Sequence, residues 1–317
     1  MERRQVIDLL ETAGSGLKFR QVIDGKFRVE GDGILLRGNR VSEEAAAQAA
    51  RRFGVPMDYA RRCPPELLAH QLNFWWQANE RPPMSLALRD DQVVAVAPAT
   101  TPLLRGSRVV TALARAIGRR AEFDRVYATP DKAELYVHGP RRRAVVPGDY
   151  LASGVHVAYS PTAVLAPVVE GYVVRLACAN GAVTRETLIR FTARDGEGGE
   201  DWLAEAAQRV YEAALDPVVT RLRKMARVVL NGHGQRFLGH LGERLGLNEG
   251  LIRAVRRQYR ADGGRTLYDA WNALTFVATH NARVRRDQEL AGHMLRAAGD
   301  TARHIEVCQA CHQTIRS

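Results

Sequence analysis

The sequence predicts an α+β fold: N-terminal helices and a mostly antiparallel sheet built from hairpins, followed by a helical C-terminal third. Two observations predict it. Apolar runs of strand character are joined by short turns, most plainly where Tyr150–Tyr159, Val164–Ala179 and Ala182–Thr192 are separated by Ser160-Pro161 and Asn180-Gly181. Asn-Gly supplies the positive φ angles that a tight hairpin turn needs. Beyond the polar loop Asp195–Asp201 almost every segment has helical period instead. Mixed elements first and helices after is the order of an α+β protein, not of an alternating βαβ sheet.

In chain order, residues 1–40 alternate short apolar runs with glycine, and Met1-Glu2-Arg3-Arg4 leads into an amphipathic segment. Phe27-Arg28-Val29 and Ile34-Leu35-Leu36 flank Gly31-Asp32-Gly33, the pattern of a small hairpin. Ser42 caps a helix whose first turn holds Glu43 and Glu44, where acids suit the helix dipole. That helix runs through Ala45–Arg52 and ends at Gly54, ahead of Pro56. Met57–Arg62 is a short helical piece, and Pro64-Pro65-Glu66 opens a longer helix, Leu67–Asn79. Ser85–Leu88 and Gln92–Ala97 form a hairpin around Asp90-Asp91, Ser107–Gly118 is a helix, and Arg125–Thr129 and Ala133–His138 are strands about Pro130-Asp131. Arg141-Arg142-Arg143 follows as a basic loop beside the sheet. The helical third comprises Trp202–Leu215, Asp216–Leu230, Gln235–Leu245, Leu251–Arg260, Thr266–Thr279 and Asn281–Ala298. Three regions result: 1–83, a hairpin and helical segment; 84–195, a β-rich core; and 202–317, a basic helical region with a Cys/His tail.

The 317 residues suffice for a sizeable core, and 46% hydrophobic with 26% charged residues is ordinary for a globular protein. The charge balance is not ordinary. Formal net charge is +11, and 42 of the 46 basic residues are arginine. The planar guanidinium fork suits phosphate and carboxylate better than the lysine point charge. A polyanionic partner follows; a GC-rich genome, whose codons favour Arg, Ala and Gly, produces the same composition. No secretory leader and no apolar run of membrane-helix length is present, so a cytoplasmic protein without a membrane partner is expected. Its four cysteines are then expected to be unpaired.

Three stretches carry a family likeness: Ala49-Ala50-Arg51-Arg52-Phe53-Gly54-Val55-Pro56 with Tyr59, Leu67-Leu68 and Leu72-Asn73-Phe74-Trp75; Asp91-Gln92-Val93-Val94-Ala95-Val96 with Leu103-Leu104; and Gly154-Val155-His156-Val157 with Tyr159-Ser160, then Tyr172 through Gly181. Together they resemble the phage- and plasmid-borne family numbered 932 among the domains of unknown function. Members of that family carry an apolar-Arg-apolar-apolar-Cys-Thr-Asn-Gly hairpin after an Asn-Ser strand end. Here Ala179 stands where Thr is usual, and Tyr159 where Asn is usual. The resemblance covers residues 45–280. It implies a mobile-element accessory protein in DNA maintenance or recombination, and it supplies no catalytic residue.

The residues offer few enzyme signatures. No phosphate-binding loop ends in Gly-Lys-Ser/Thr, Gly232-His233-Gly234 lacks the third glycine of a dinucleotide fingerprint, and no serine sits in a nucleophile elbow. Asp124, Asp131 and Asp149 could meet as metal ligands only in three dimensions. Cys178, among apolar neighbours, reads as a core residue. The tail His304, Cys308, Cys311 and His312 is a candidate zinc site: two thiolates two residues apart can share one metal, with a histidine one helical turn earlier. An unstructured tail with free thiols is the alternative.

The basic clusters bear most on function. Residues 203–317 hold 18 Lys/Arg against 11 Asp/Glu. Arg221, Arg223, Lys224 and Arg227 crowd one helix, and Arg283, Arg285 and Arg286 form another group. On Leu251–Arg260, the residues Leu251, Ile252, Val255 and Tyr259 make an apolar stripe while Arg253, Arg256, Arg257 and Arg260 make a basic one. Guanidinia about one turn apart along a helix can follow a phosphate backbone; a solvated helix face has the same pattern. Gln235–Leu245, Gly246 and Glu249–Arg260 have a helix–turn–helix look. Arg141, Arg142, Arg143 and Arg175 add basic groups at the sheet, where Tyr127, Tyr136, Tyr150 and Trp202 could stack bases.

The expected function is a non-catalytic nucleic-acid-binding protein of phage or plasmid type, with DNA favoured over RNA, and single strands in recombination or replication as one form of it. A metal-dependent enzyme acting on nucleic acid and an interaction protein for an acidic partner are the alternatives. A homo-oligomer is compatible with the sequence.

Overall fold

The computed structural model describes residues 1–175, 182–184, 189–194, 196–230, 233–281, 284 and 294. The expected Asn180-Gly181 turn, Cys178, the 281–298 helix beyond its first residue, the Arg283, Arg285 and Arg286 group, and the tail with His304, Cys308, Cys311 and His312 lie outside the described residues or touch them only at isolated positions. The chain divides into two compact units: Met1–Val137 with His156–Val169 and Phe191–Ala207, and His138–Val155 with Glu170–Arg190 and Gln208–Ser317.

The first unit contains α1 (Arg3–Ala13), strands β1 (Lys18–Val22), β2 (Phe27–Glu30), β3 (Gly33–Leu36) and β4 (Asn39–Val41), helices α2 (Glu43–Arg52), α3 (Met57–Ala60) and α4 (Pro65–Ala78), the hairpin β5 (Met84–Arg89) and β6 (Gln92–Pro98), α5 (Gly106–Ile117) and β7 (Glu122–Ala128). Six strands form a sheet of order β1-β5-β6-β4-β3-β2, antiparallel except where Val41 of β4 pairs parallel with Val93 of β6. Asp90 and Asp91 both hold positive φ, 50° and 59°, as a two-residue hairpin turn requires. Ser42 caps α2 through Oγ, which accepts from the Ala45 N–H at 3.1 Å. Five alanines bury the inner face of α2 and let its backbone lie close to the sheet.

α4 packs over β2 and β3 through Leu68, Leu72 and Trp76. The Trp76 ring meets Phe27 edge-on at 5.9 Å, and its indole N–H donates to the Pro82 carbonyl at 3.1 Å. Asn73 on the same helix acts as a substitute strand. Its Oδ1 accepts from the Phe27 N–H and its Nδ2 donates to the Phe27 carbonyl, both at 2.8 Å. Among the described residues β2 ends the sheet, so no described strand pairs with those two backbone groups on that side.

A second sheet, built of antiparallel hairpins, contains β7, β8 (Ala133–Val146), β9 (Asp149–Tyr159), β10 (Val168–Arg175), β11 (Ala182–Thr184) and β12 (Arg190–Thr192), in the order β11-β10-β9-β8-β7 with β12 also on β10. Both ends of the expected strand Ala182–Thr192 are strand, as β11 and β12, and residues 185–188 between them lie outside the described residues. The expected basic loop Arg141-Arg142-Arg143 is the far end of β8. Its backbone is extended as part of the β8–β9 hairpin, and the Arg141 N–H donates to the Tyr211 hydroxyl at 3.0 Å, a tie no local pattern reveals.

Among the described residues five helices follow: α6 (Glu200–Ala213), α7 (Leu215–Arg227), α8 (Gly234–Arg244), α9 (Glu249–Ala261) and α10 (Leu267–His280). In the second unit α10 packs on α7, α8 and α9. Their shared core includes Leu215, Leu222, Phe237, Val255, Trp271 and Leu274, together with Leu151 and Val173 from the sheet. Buried Asp149, at the start of β9, accepts from the Tyr268 hydroxyl of α10 at 2.7 Å. No helix among the described residues is long and apolar enough to cross a membrane.

Asn73→Ala should cost about 1–3 kcal/mol, because it strands two part-buried backbone groups. Urea unfolding at constant m-value checks it.

Candidate nucleic-acid interface

α8 and α9 are joined by four residues, Leu245 to Asn248. Gly246 takes φ +65°, its N–H donates to the Glu243 carbonyl at 3.0 Å, and the Leu247 N–H donates to the Gly242 carbonyl at 2.9 Å. That pair of bonds closes a helix C-terminus and needs a left-handed residue at the glycine position. Leu247 is buried as the plug. Asn248 then caps α9, its Oδ1 accepting from the Leu251 N–H at 3.1 Å. The far end of α9 repeats the device: Gly263 at φ +65° donates to the Arg260 carbonyl, and Gly264 to the Tyr259 carbonyl.

The helices approach closely because α8 presents glycines. A Cβ on Gly242 would stand 2.5 Å from Ile252 Cγ1, one on Gly234 would strike the Tyr259 ring, and one on Gly239 would strike the Arg256 guanidinium. Ile252, Arg256 and Tyr259 lie at i, i+4 and i+7, one face of α9. Burial first, and the Asp269 carboxylate second, hold the Tyr259 phenol above its usual pKa, so it packs as a neutral group.

This packing divides the α9 arginines. Arg256 is half-buried, and its Nε donates to the Gln235 carbonyl at 2.8 Å while Gln235 Nε2 donates back to the Arg256 carbonyl. Arg253, Arg257 and Arg260 are exposed on the opposite stripe with Glu249. Arg253 pairs with Glu249 at 3.2 Å, with both side chains mostly in water (70% and 86% exposed). A pair that open contributes little and is easily exchanged for another anion.

A second cluster joins β8 to α7. Arg141 donates to the Glu212 carbonyl at the end of α6 and to Asp216 Oδ2, both at 2.7 Å, and Arg143 reaches the other Asp216 oxygen at 3.3 Å. Arg223 donates from Nε and Nη2 to the Ala144 carbonyl, at 3.1 and 2.7 Å. Arg142 is exposed; Arg221 is half-buried, Lys224 is exposed, and both are engaged by neighbours. Arg175 belongs to β10 through its backbone, and its side chain is outside the described residues. Of the aromatics, Tyr136 is buried and stacked on His156 at 4.3 Å, whereas Tyr127 and Tyr150 are about half exposed, at 55% and 47%. No group of three His, Cys, Asp or Glu side chains among the described residues could hold a metal ion.

Sequence reasoning missed Asp216, Glu249 and the glycine face. Gly234, Gly239 and Gly242 fall on one side of α8, a spacing visible in the sequence; Asp216 lies 75 residues from Arg141 and gives no local signal.

The charge is segregated. The second unit holds 24 Lys/Arg against 13 Asp/Glu, the whole net +11, while the first holds 22 of each. Among side chains described in the second unit the balance is 16 against 8. A cleft of 440 Å³ there is acidic, lined by Asp149, Asp262 and Asp269, but Gln258 and Asp262, which also line it, lie well round α9 from the Arg253 stripe.

No protein-family model, no curated protein and no solved structure matches the chain. Several residues of the three stretches singled out in the sequence pack the core: Ala49, Leu72, Val93, Val155 and Tyr172 are buried.

Gly242→Ala and Gly239→Ala should separate. Each gains about 1 kcal/mol of helix propensity. At Gly242 the new methyl meets the Ile252 stem, and overpacking of about 1–3 kcal/mol outweighs the gain. At Gly239 it meets the end of the Arg256 side chain, which can shift only by giving up its bond to the Gln235 carbonyl; that loss offsets the propensity gain, so stability should stay within about 1 kcal/mol of wild type. Thermal unfolding of the two variants reads the difference.

Proposed function

We propose that the chain is a non-catalytic nucleic-acid-binding protein that engages its ligand through the second unit. One observation carries this reading: all of the net +11 belongs to that unit, while the first is neutral. A codon bias toward arginine would raise the basic count of both units alike; it gives no reason for acids to balance it in one and not in the other. Arginine-rich positive charge concentrated on one body is the electrostatic footprint of a phosphate-bearing partner.

The arginines that can serve are those not committed to the fold. Arg141, Arg223 and Arg256 tie backbone carbonyls and are scaffold. Arg253, Arg257 and Arg260 share an exposed stripe, with Arg142 exposed on β8. Contacts of this kind release counterions, so affinity falls linearly with the logarithm of salt concentration, with a slope of about −0.9 per neutralised phosphate on duplex DNA.

The triple variant Arg253→Gln, Arg257→Gln, Arg260→Gln should bind DNA more weakly and flatten that slope by roughly 2–3. Fluorescence anisotropy at four salt concentrations measures it. An unchanged slope excludes the α9 surface, and no binding by wild type at low salt excludes the function.

A further inference from the structure

The geometry points to double-stranded DNA as the ligand, with α9 lying in the major groove and the pair Glu249 and Arg253 at base edges; this rests on the nucleic-acid reading of the same unit. The α8–turn–α9 element has the construction of a helix–turn–helix: two helices, a four-residue connection with a left-handed glycine, and a third helix, α10, packed behind both. α9 is anchored along one side by Leu251, Ile252, Val255 and Tyr259, all buried, so the opposite stripe is held outward as a rigid ridge. Arg253 to Arg260 spans about 10 Å of helix, a length that fits within a major groove about 12 Å wide.

The composition of the ridge selects among nucleic acids. Single-strand binders use aromatic side chains on which bases stack. The exposed face of α9 has none, since its tyrosine, Tyr259, is turned into the core. A helix can enter the major groove of B-form DNA, whereas that of duplex RNA is too deep and narrow for side chains to read.

Glu249 gives the ridge its polarity. A carboxylate on a surface that only follows phosphates would be repelled by them. Against a base pair it is an acceptor for the cytosine amino group, and Arg253 beside it is a two-pronged donor for guanine O6 and N7. The exposed ion pair at 3.2 Å therefore holds an acceptor and a donor side by side at the N-terminal end of α9. Arg257 and Arg260, farther along, are left for the flanking phosphates.

The test uses the full chain with three probes: a 20-base-pair DNA duplex pool of randomised sequence, an RNA duplex of equal length, and a DNA single strand. DNA duplex should bind at least about tenfold more tightly than RNA duplex or single strand. Repeated selection from the pool should enrich a short motif. Arg253→Gln should relax preference at one base pair by about 5- to 100-fold, whereas Arg257→Gln should weaken all sequences equally and lower the salt slope by about one. Equal binding of RNA duplex or single strand, or selection without a motif, overturns the major-groove assignment. In that case loss of binding in Arg257→Gln still upholds nucleic-acid binding by this unit. No binding of any probe at low salt defeats both.

Discussion

The close contact of α8 with α9 is the constraint on which the site depends. Glycine in a helix interior is intrinsically costly, about 1 kcal/mol each relative to alanine. α8 carries two there, Gly239 and Gly242, and a third at its start. The return is proximity: Ile252, Arg256 and Tyr259 of α9 fit into space where side chains would otherwise stand. Once that face is seated, the orientation of α9 about its axis is fixed. Arg253, Arg257 and Arg260 point to solvent because the residues one face away cannot.

Arginine has two uses in this protein, and the structure separates them. In the scaffold a guanidinium replaces missing backbone donors. Arg141 covers the carbonyl end of α6, where the helix dipole favours a cation, and Asp216 neutralises what remains. Arg223 forks onto one strand carbonyl, and Arg256 reaches the first turn of α8. These groups are committed to hydrogen bonds that hold one element to the next. On the outer stripe of α9, Arg253 pairs with an exposed acid, Glu249, and a phosphate competes with that pair readily.

Much of the fold is legible in the sequence because it is locally encoded. Ser42, Asp90-Asp91, Gly246 and Thr266 each mark a boundary through their own backbone chemistry, and the elements begin or end there. The failures have distant causes. Arg141-Arg142-Arg143 looks like a loop after Gly139-Pro140, yet it lies in β8 beside β9, with its first N–H taken by Tyr211, 70 residues on. The basic stripe of α9 is readable from helical period, but that period assigns Arg256 to the same class as Arg253. Only packing against Gly239 shows it turned inward. The segregation of charge is invisible for a further reason: the neutral and basic units each draw on three separate stretches of chain, so no window of sequence contains either one.

The most direct test of the central claim is to map where nucleic acid touches the protein. The full chain would be photo-cross-linked to a DNA duplex carrying 4-thiothymidine, digested, and the modified peptides identified by mass spectrometry. Cross-links should fall within Glu249–Ala261, the segment that forms α9. Cross-links confined to the neutral unit, for instance at its exposed aromatics Tyr59, Phe74 and Trp75, would contradict the account.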